Sequence, residues 1–287
     1  MAALTPWDDD GRLDLAAWDA QVEWLADQSP LGIGVAGVEV QEYHLLDDAT
    51  RVDLVRRTVE RVGETPVVAG VTSPMPRTSA ALARQMHDVG ASAVLALCGP
   101  KPWAAPMTQT ELVGWFTRLA DGSPLPVVLY SNPRTGSDPT VAALAELAAH
   151  ESIVALKETS RDMVKVLGLC EQLSKPGLAG VYNNMETLLA TLLLGGEGAM
   201  VPAPALGASQ RIFSAVAAGD LDTARHWQGF FSIFPSRWMG LGLGPVCKAA
   251  MGVLGVPVGR PPAPFETLGH EQVREVADTF ARWELSR

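Results

Sequence analysis

Ile153-Val154-Ala155-Leu156-Lys157-Glu158 is an apolar, β-branched run that closes on a lysine and a glutamate. Its length and composition are those of a buried strand. The lysine at its end has two readings. It carries its charge out to solvent, or it sits in a desolvated site where a lowered pKa frees the amine to attack a carbonyl. The preceding run, Val127-Val128-Leu129-Tyr130, ends in a tyrosine and leads into Ser131-Asn132-Pro133-Arg134-Thr135-Gly136. Two consecutive strands therefore end in side chains capable of chemistry.

Similar runs recur along the chain at Gly32–Gly37, Pro66–Val71, Ser92–Leu97, Gly177–Tyr182 and Gly198–Val201. Helical patterns follow them, such as Thr78–Val89 and Val141–Ala149, which is the signature of repeated βα units and a parallel sheet. Ala2-Ala3-Leu4 is the candidate for the eighth strand needed to close a barrel. Asp47 or Asp48 is placed to cap the helix that carries Val52, Leu54, Val55 and Val59. After about Ala205 only helical patterns remain, in Ile212–Ala218, Leu221–Phe234, Val246–Leu254 and Glu271–Leu285. The expectation is an α/β fold, a (β/α)8 TIM barrel over residues 1–206, with a C-terminal helical extension over residues 207–287.

At 287 residues, 47% hydrophobic and 19% charged, the chain has the composition of an ordered globular protein. The net charge of −10, with 22 scattered basic residues, argues against a nucleic-acid partner. Cys98, Cys170 and Cys247 form no CxxC pair, so neither a disulfide framework nor a zinc site is expected, and the reducing cytoplasm fits. Met1 to Asp8 has no basic region before an apolar stretch, and no segment has the length to span a bilayer, so no membrane partner is expected.

The motifs resemble, across nearly the whole chain, the dihydrodipicolinate synthase and N-acetylneuraminate lyase family of barrel aldolases. Thr5-Pro6-Trp7-Asp8 resembles the family's opening Thr-Pro-Phe, Tyr130–Gly136 its Tyr-Asn-x-Pro segment, and Val154–Ser160 its imine-forming strand. Leu194-Gly195-Gly196-Glu197-Gly198-Ala199 resembles the Gly-Gly-x-Gly turn, and Lys248, Gly252, Arg260 and Pro261 the C-terminal pattern. The resemblance implies that Lys157 forms a Schiff base with pyruvate or a related 2-oxo acid and that Tyr130 shuttles the proton. It implies a homo-oligomer, a dimer or tetramer. No metal or organic cofactor is called for, since the lysine iminium is itself the electron sink.

The chain departs from the family in two places. Where the family carries a glycine and two threonines that bind the substrate carboxylate, this sequence reads Gly37-Val38-Glu39-Val40-Gln41-Glu42-Tyr43-His44. Gly37, Val38, Glu39 and Val40 are the substrate-binding candidates there, Glu39 being expected to disfavour a plain carboxylate by like-charge repulsion. Glu39 to His44 is either a recognition surface or a solvated loop. Arg134, whose planar fork can pair a carboxylate bidentately, and Val201, at the end of the last run, complete the set. The second departure is Cys98-Gly99-Pro100-Lys101-Pro102-Trp103, which lacks the tyrosine of dihydrodipicolinate synthases. The expected activity is aldol cleavage or condensation on a 2-oxo acid. A 2-keto-3-deoxy sugar acid dehydratase is the second reading and dihydrodipicolinate synthase the third. The non-enzyme rival is a ligand-binding or regulatory pseudo-enzyme.

Overall fold

The computed structural model describes residues 1–99, 101 and 105–285. Its elements run α1 (Leu15–Asp27), β1 (Ile33–Val35), α2 (Asp48–Val59), β2 (Val67–Gly70), α3 (Pro76–Asp88), β3 (Ala93–Leu97) and α4 (Gln109–Gly122). They continue with β4 (Val127–Ser131), α5 (Val141–Ala148), β5 (Ile153–Glu158), α6 (Met163–Leu169), β6 (Gly180–Asn183), α7 (Leu188–Leu193) and β7 (Gly198–Ala199). Four helices close the chain: α8 (Leu206–Ala217), α9 (Leu221–Phe230), α10 (Leu243–Val253) and α11 (His270–Arg282). Each apolar run of the sequence thus holds a strand, and a helix follows each strand. Pro100, Pro102 and Trp103 of the tyrosine-less stretch lie outside the described residues.

The chain folds as two compact units, Pro66–Met200 on the one hand and Met1–Thr65 with Val201–Arg287 on the other. In the first, β2 to β7 form a parallel sheet in chain order. α4, α5 and α6 start where side chains satisfy the otherwise unpaired first amides. Thr108 and Glu111 form a reciprocal capping box on α4, and Asp162 accepts from the amides of Val164 and Lys165 at the head of α6. The buried residues of α4, Leu112, Trp115, Phe116, Leu119 and Ala120, recur at the spacing of one helical face.

In the second unit Ala2 bridges in parallel to both Gly34 and Pro202. Its amide donates to Val201 O (2.8 Å), while the Ala3 amide donates to Gly34 O (3.1 Å). The short Ala2–Leu4 run therefore has a partner on each side, as an interior strand does. Ala3 and Leu4 are fully buried, and Gln21 of α1 takes both backbone groups of Leu4. Asp47 caps α2 by accepting from Thr50 N (2.7 Å).

Candidate active site

Lys157 and Tyr130 come together. β4 and β5 are adjacent and parallel, and their register pairs Tyr130 with Lys157 and Ser131 with Glu158. Neighbouring residues in register point to the same face, so the lysine and tyrosine side chains emerge side by side. Lys157 is 6% exposed and Tyr130 3%, and Nζ lies 3.8 Å from the centroid of the phenol ring. A cation over the ring face is stabilised by the ring's quadrupole. The lysine therefore stays in the protein interior and does not run out to solvent.

The turn after β4 orients the tyrosine. Asn132 Nδ2 donates to Tyr130 Oη (3.2 Å), the Asn132 amide donates to Ser137 O (2.6 Å), and Ser137 Oγ donates to Tyr130 O (3.3 Å). Gly136 closes the turn at φ +81°. Arg134 sits at its tip with an exposed side chain, and its amide donates to Asn132 Oδ1 (3.1 Å).

Glu158 follows Lys157 and is fully buried. Its Oε1 accepts from the amides of Thr159 (2.8 Å) and Ser160 (2.6 Å), and its Oε2 pairs with Lys165 Nζ at 2.9 Å. Lys165 also donates to Asp138 Oδ1 (2.7 Å) and Ser131 Oγ (3.2 Å).

Gly37, Val38, Glu39, Val40 and Val201 belong to the other unit. Glu39 opens a 3-10 turn, Glu39–Gln41, and is half-buried. Burial and the Glu39 charge push the Tyr43 phenol up to about 12. Gln41, 1% exposed, is the hub of this segment and not part of a solvated loop. Its Oε1 accepts from Gly37 N (2.8 Å) and Val38 N (3.1 Å), and its Nε2 donates to Ala3 O (2.8 Å) and Gly34 O (2.7 Å). Two of the four backbone amides in the candidate carboxylate cradle thus have an internal acceptor. Val201 offers its carbonyl to Ala2. The sequence assigns no role to Asn132 or Lys165, and offers Gln41 only as a member of the Glu39–His44 cluster. Only Asn132, beside the tyrosine in a turn motif, carried a signal.

The sequence matches the dihydrodipicolinate synthetase family over residues 1–282. Similar proteins include the 4-hydroxy-tetrahydrodipicolinate synthase of Exiguobacterium sp., 30% identical over 268 residues that cover 92% of this chain and 90% of that one. The synthase of Acidothermus cellulolyticus is 30% identical over 292 residues, covering 98% and 90%. Among solved structures, YagE, a prophage protein of this family from E. coli K12 in complex with pyruvate, superposes with a TM-score of 0.88 at 23% identity, covering 99% of this chain and 98% of that one. Dihydrodipicolinate synthase from Bacillus anthracis gives 0.87 at 25% identity, with coverage of 98% and 96%. The 4-hydroxy-tetrahydrodipicolinate synthases are lyase-type enzymes, and so is this chain. It belongs to the dihydrodipicolinate synthetase family.

Proposed function

We propose that this protein is a class I lyase in which Lys157 forms a Schiff base with pyruvate or a related 2-oxo acid and catalyses aldol cleavage or condensation. The observation that carries this reading is the buried Lys157 Nζ against the Tyr130 ring at the ends of adjacent strands. The amine, once deprotonated, adds to the ketone carbon, and loss of water leaves an iminium. In cleavage its positive charge draws in the electron pair of the breaking C–C bond to give an enamine. In condensation it draws in the pair of the adjacent C–H bond as the proton leaves, the enamine carbon then donating its pair to the electrophile. The ring face that holds an ammonium can equally hold that iminium. Tyr130 Oη, steadied by Asn132, gives and recovers the proton. Ala2–Leu4, bonded on both sides, supports an eight-stranded closed barrel as the scaffold, with residues 207–287 as its helical extension. Arg134 is the candidate for a substrate carboxylate, and the Gly37–Val40 segment and Val201 are candidate lining.

Pyruvate in the YagE structure makes pyruvate the first 2-oxo acid to try. Borohydride reduction in its presence should fix the adduct on Lys157, read by intact mass and peptide mapping. If wild type takes no adduct at Lys157 from a panel of 2-oxo acids, or if Lys157→Arg is labelled equally, the mechanism is wrong. 4-Hydroxy-tetrahydrodipicolinate synthase activity is the second reading, favoured by the names of the 30% identical relatives. Against it stand Val38, Glu39 and Val40 in place of the family's threonine pair.

A further inference from the structure

We infer that Lys165 is a positioning residue whose ammonium, held by Glu158, Asp138 and Ser131 together, locks the ends of β4 and β5 and so sets Lys157 against Tyr130. This rests on the reading of Lys157 as the imine-forming residue. Successive side chains of a strand point to opposite faces, so the register pair Ser131/Glu158 lies on the reverse face from the pair Tyr130/Lys157 one residue earlier. Lys165 Nζ spans that reverse pair, reaching Glu158 Oε2 at 2.9 Å and Ser131 Oγ at 3.2 Å. Thr159 Oγ1 ties the same strand ends by donating to Ser131 O (2.9 Å).

The third arm of the lysine fixes the turn. Asp138 adjoins Ser137, whose backbone and hydroxyl hold Asn132 and the Tyr130 carbonyl, and Asn132 in turn holds the phenol oxygen. Freeing Asp138 thus loosens the segment that aims Tyr130. The lysine's location agrees with a side-chain role. It lies in the first turn of α6, where a cation is disfavoured by the helix dipole, and the helix end is already satisfied by Asp162. A fully buried Glu158 carboxylate requires a cation, and Lys165, with a side chain only 12% exposed, supplies it. Burial works to lower the pKa of Lys165, but Glu158 and Asp138 outweigh it and raise it, so the ammonium is held charged.

The test compares wild type with Lys165→Arg, Lys165→Met, Lys165→Met/Glu158→Gln and Asp138→Asn, the double variant sparing the buried carboxylate the loss of its cation. The measurements are thermal stability and the rate of borohydride-trapped pyruvate adduct at Lys157, across pH, on folded protein. Lys165→Arg should retain most of the rate. Folded variants without the cation should form the adduct roughly tenfold to a hundredfold more slowly, the scale of a misplacement of reacting groups by about 1 Å, and with a displaced pH profile. A purely structural lysine would lower stability and leave rate and profile of the folded molecules unchanged, and that result overturns the inference. Should neither Lys165→Met variant fold, Asp138→Asn, altered at a half-exposed side chain, decides: a wild-type adduct rate there overturns it as well. If wild type itself takes no adduct at Lys157, the imine reading falls and the clamp's catalytic role goes with it.

Discussion

At the scale of single residues, Tyr130 makes two separable contributions, one from its ring and one from its hydroxyl. The ring face lies 3.8 Å from Lys157 Nζ, whereas the hydroxyl receives Asn132 Nδ2. Tyr130→Phe keeps the first and removes the second. It should preserve the fold and part of the trappable Lys157 adduct while slowing turnover by about 10²-fold or more, the scale of a positioned acid–base group. Turnover near wild type on the substrate that wild type uses would remove Tyr130 from proton transfer. Both residues were legible because each ends an apolar run, and strand ends are where a parallel α/β fold displays its chemistry. Gln41 was not legible. A glutamine among charged and polar neighbours reads as solvated loop, and only the fold brings Ala3, Gly34, Gly37 and Val38 around its amide. Burial of that amide is tolerated because both its ends are satisfied.

Among the elements, the strands were legible from apolar runs and the start of α2 from its Asp47 cap, whereas the start of α8, at Leu206 ahead of its Ile212–Ala218 pattern, and the irregular pieces were not. β6 begins at Gly180, later than its run, because Gly177 turns at φ +73° after a π-helical stretch, Cys170–Ser174, that no local residue pattern announces. The 3-10 turns Glu39–Gln41 and Tyr43–Leu45 likewise depend on tertiary partners. The Gly195-Gly196 pair is the opposite case, a motif with a local cause. Gly195 adopts φ +93°, and a Cβ on Gly196 would come within 2.6 Å of Thr191 Cγ2 and 3.0 Å of Val181 O. Neither contact can easily give, since Thr191 is fully buried and Val181 O is strand backbone. Gly196→Ala should therefore cost about 1–3 kcal/mol, read as a lower urea midpoint. An unchanged midpoint would mean that the α7–β7 turn relaxes freely and that the glycine answers to something other than packing.

On the scale of the whole molecule, the composition of the two units was the least legible feature, because one of them joins the first 65 residues to the last 87. A buried ionic knot inside that unit explains how such distant segments hold together. Lys248 of α10 donates to Thr5 O and pairs with Glu42 Oε2 at 3.1 Å, and Trp7 Nε1 donates to the same oxygen at 2.6 Å. The sequence offered Lys248 only as part of a C-terminal pattern and gave no hint of its partners. Burial lowers the Lys248 pKa below its ordinary 10.5, and the attraction of Glu42 recovers only part of the shift. Between that lowered value and the ordinary one, the unfolded chain binds more protons than the folded chain, so this group makes stability rise with pH across the window. Tyr43, pushed up to about 12, has the opposite sign, since its folded phenol keeps a proton that the unfolded one sheds above its ordinary 10.0. Lys165, raised above 10.5, also acts only beyond the window. Urea midpoints of wild type and Lys248→Met, compared from about pH 8 to about pH 10, isolate the lysine. The difference should move in favour of wild type as pH rises. A difference that stays flat would show that the knot holds Lys248 at its ordinary pKa, with Glu42 fully offsetting burial.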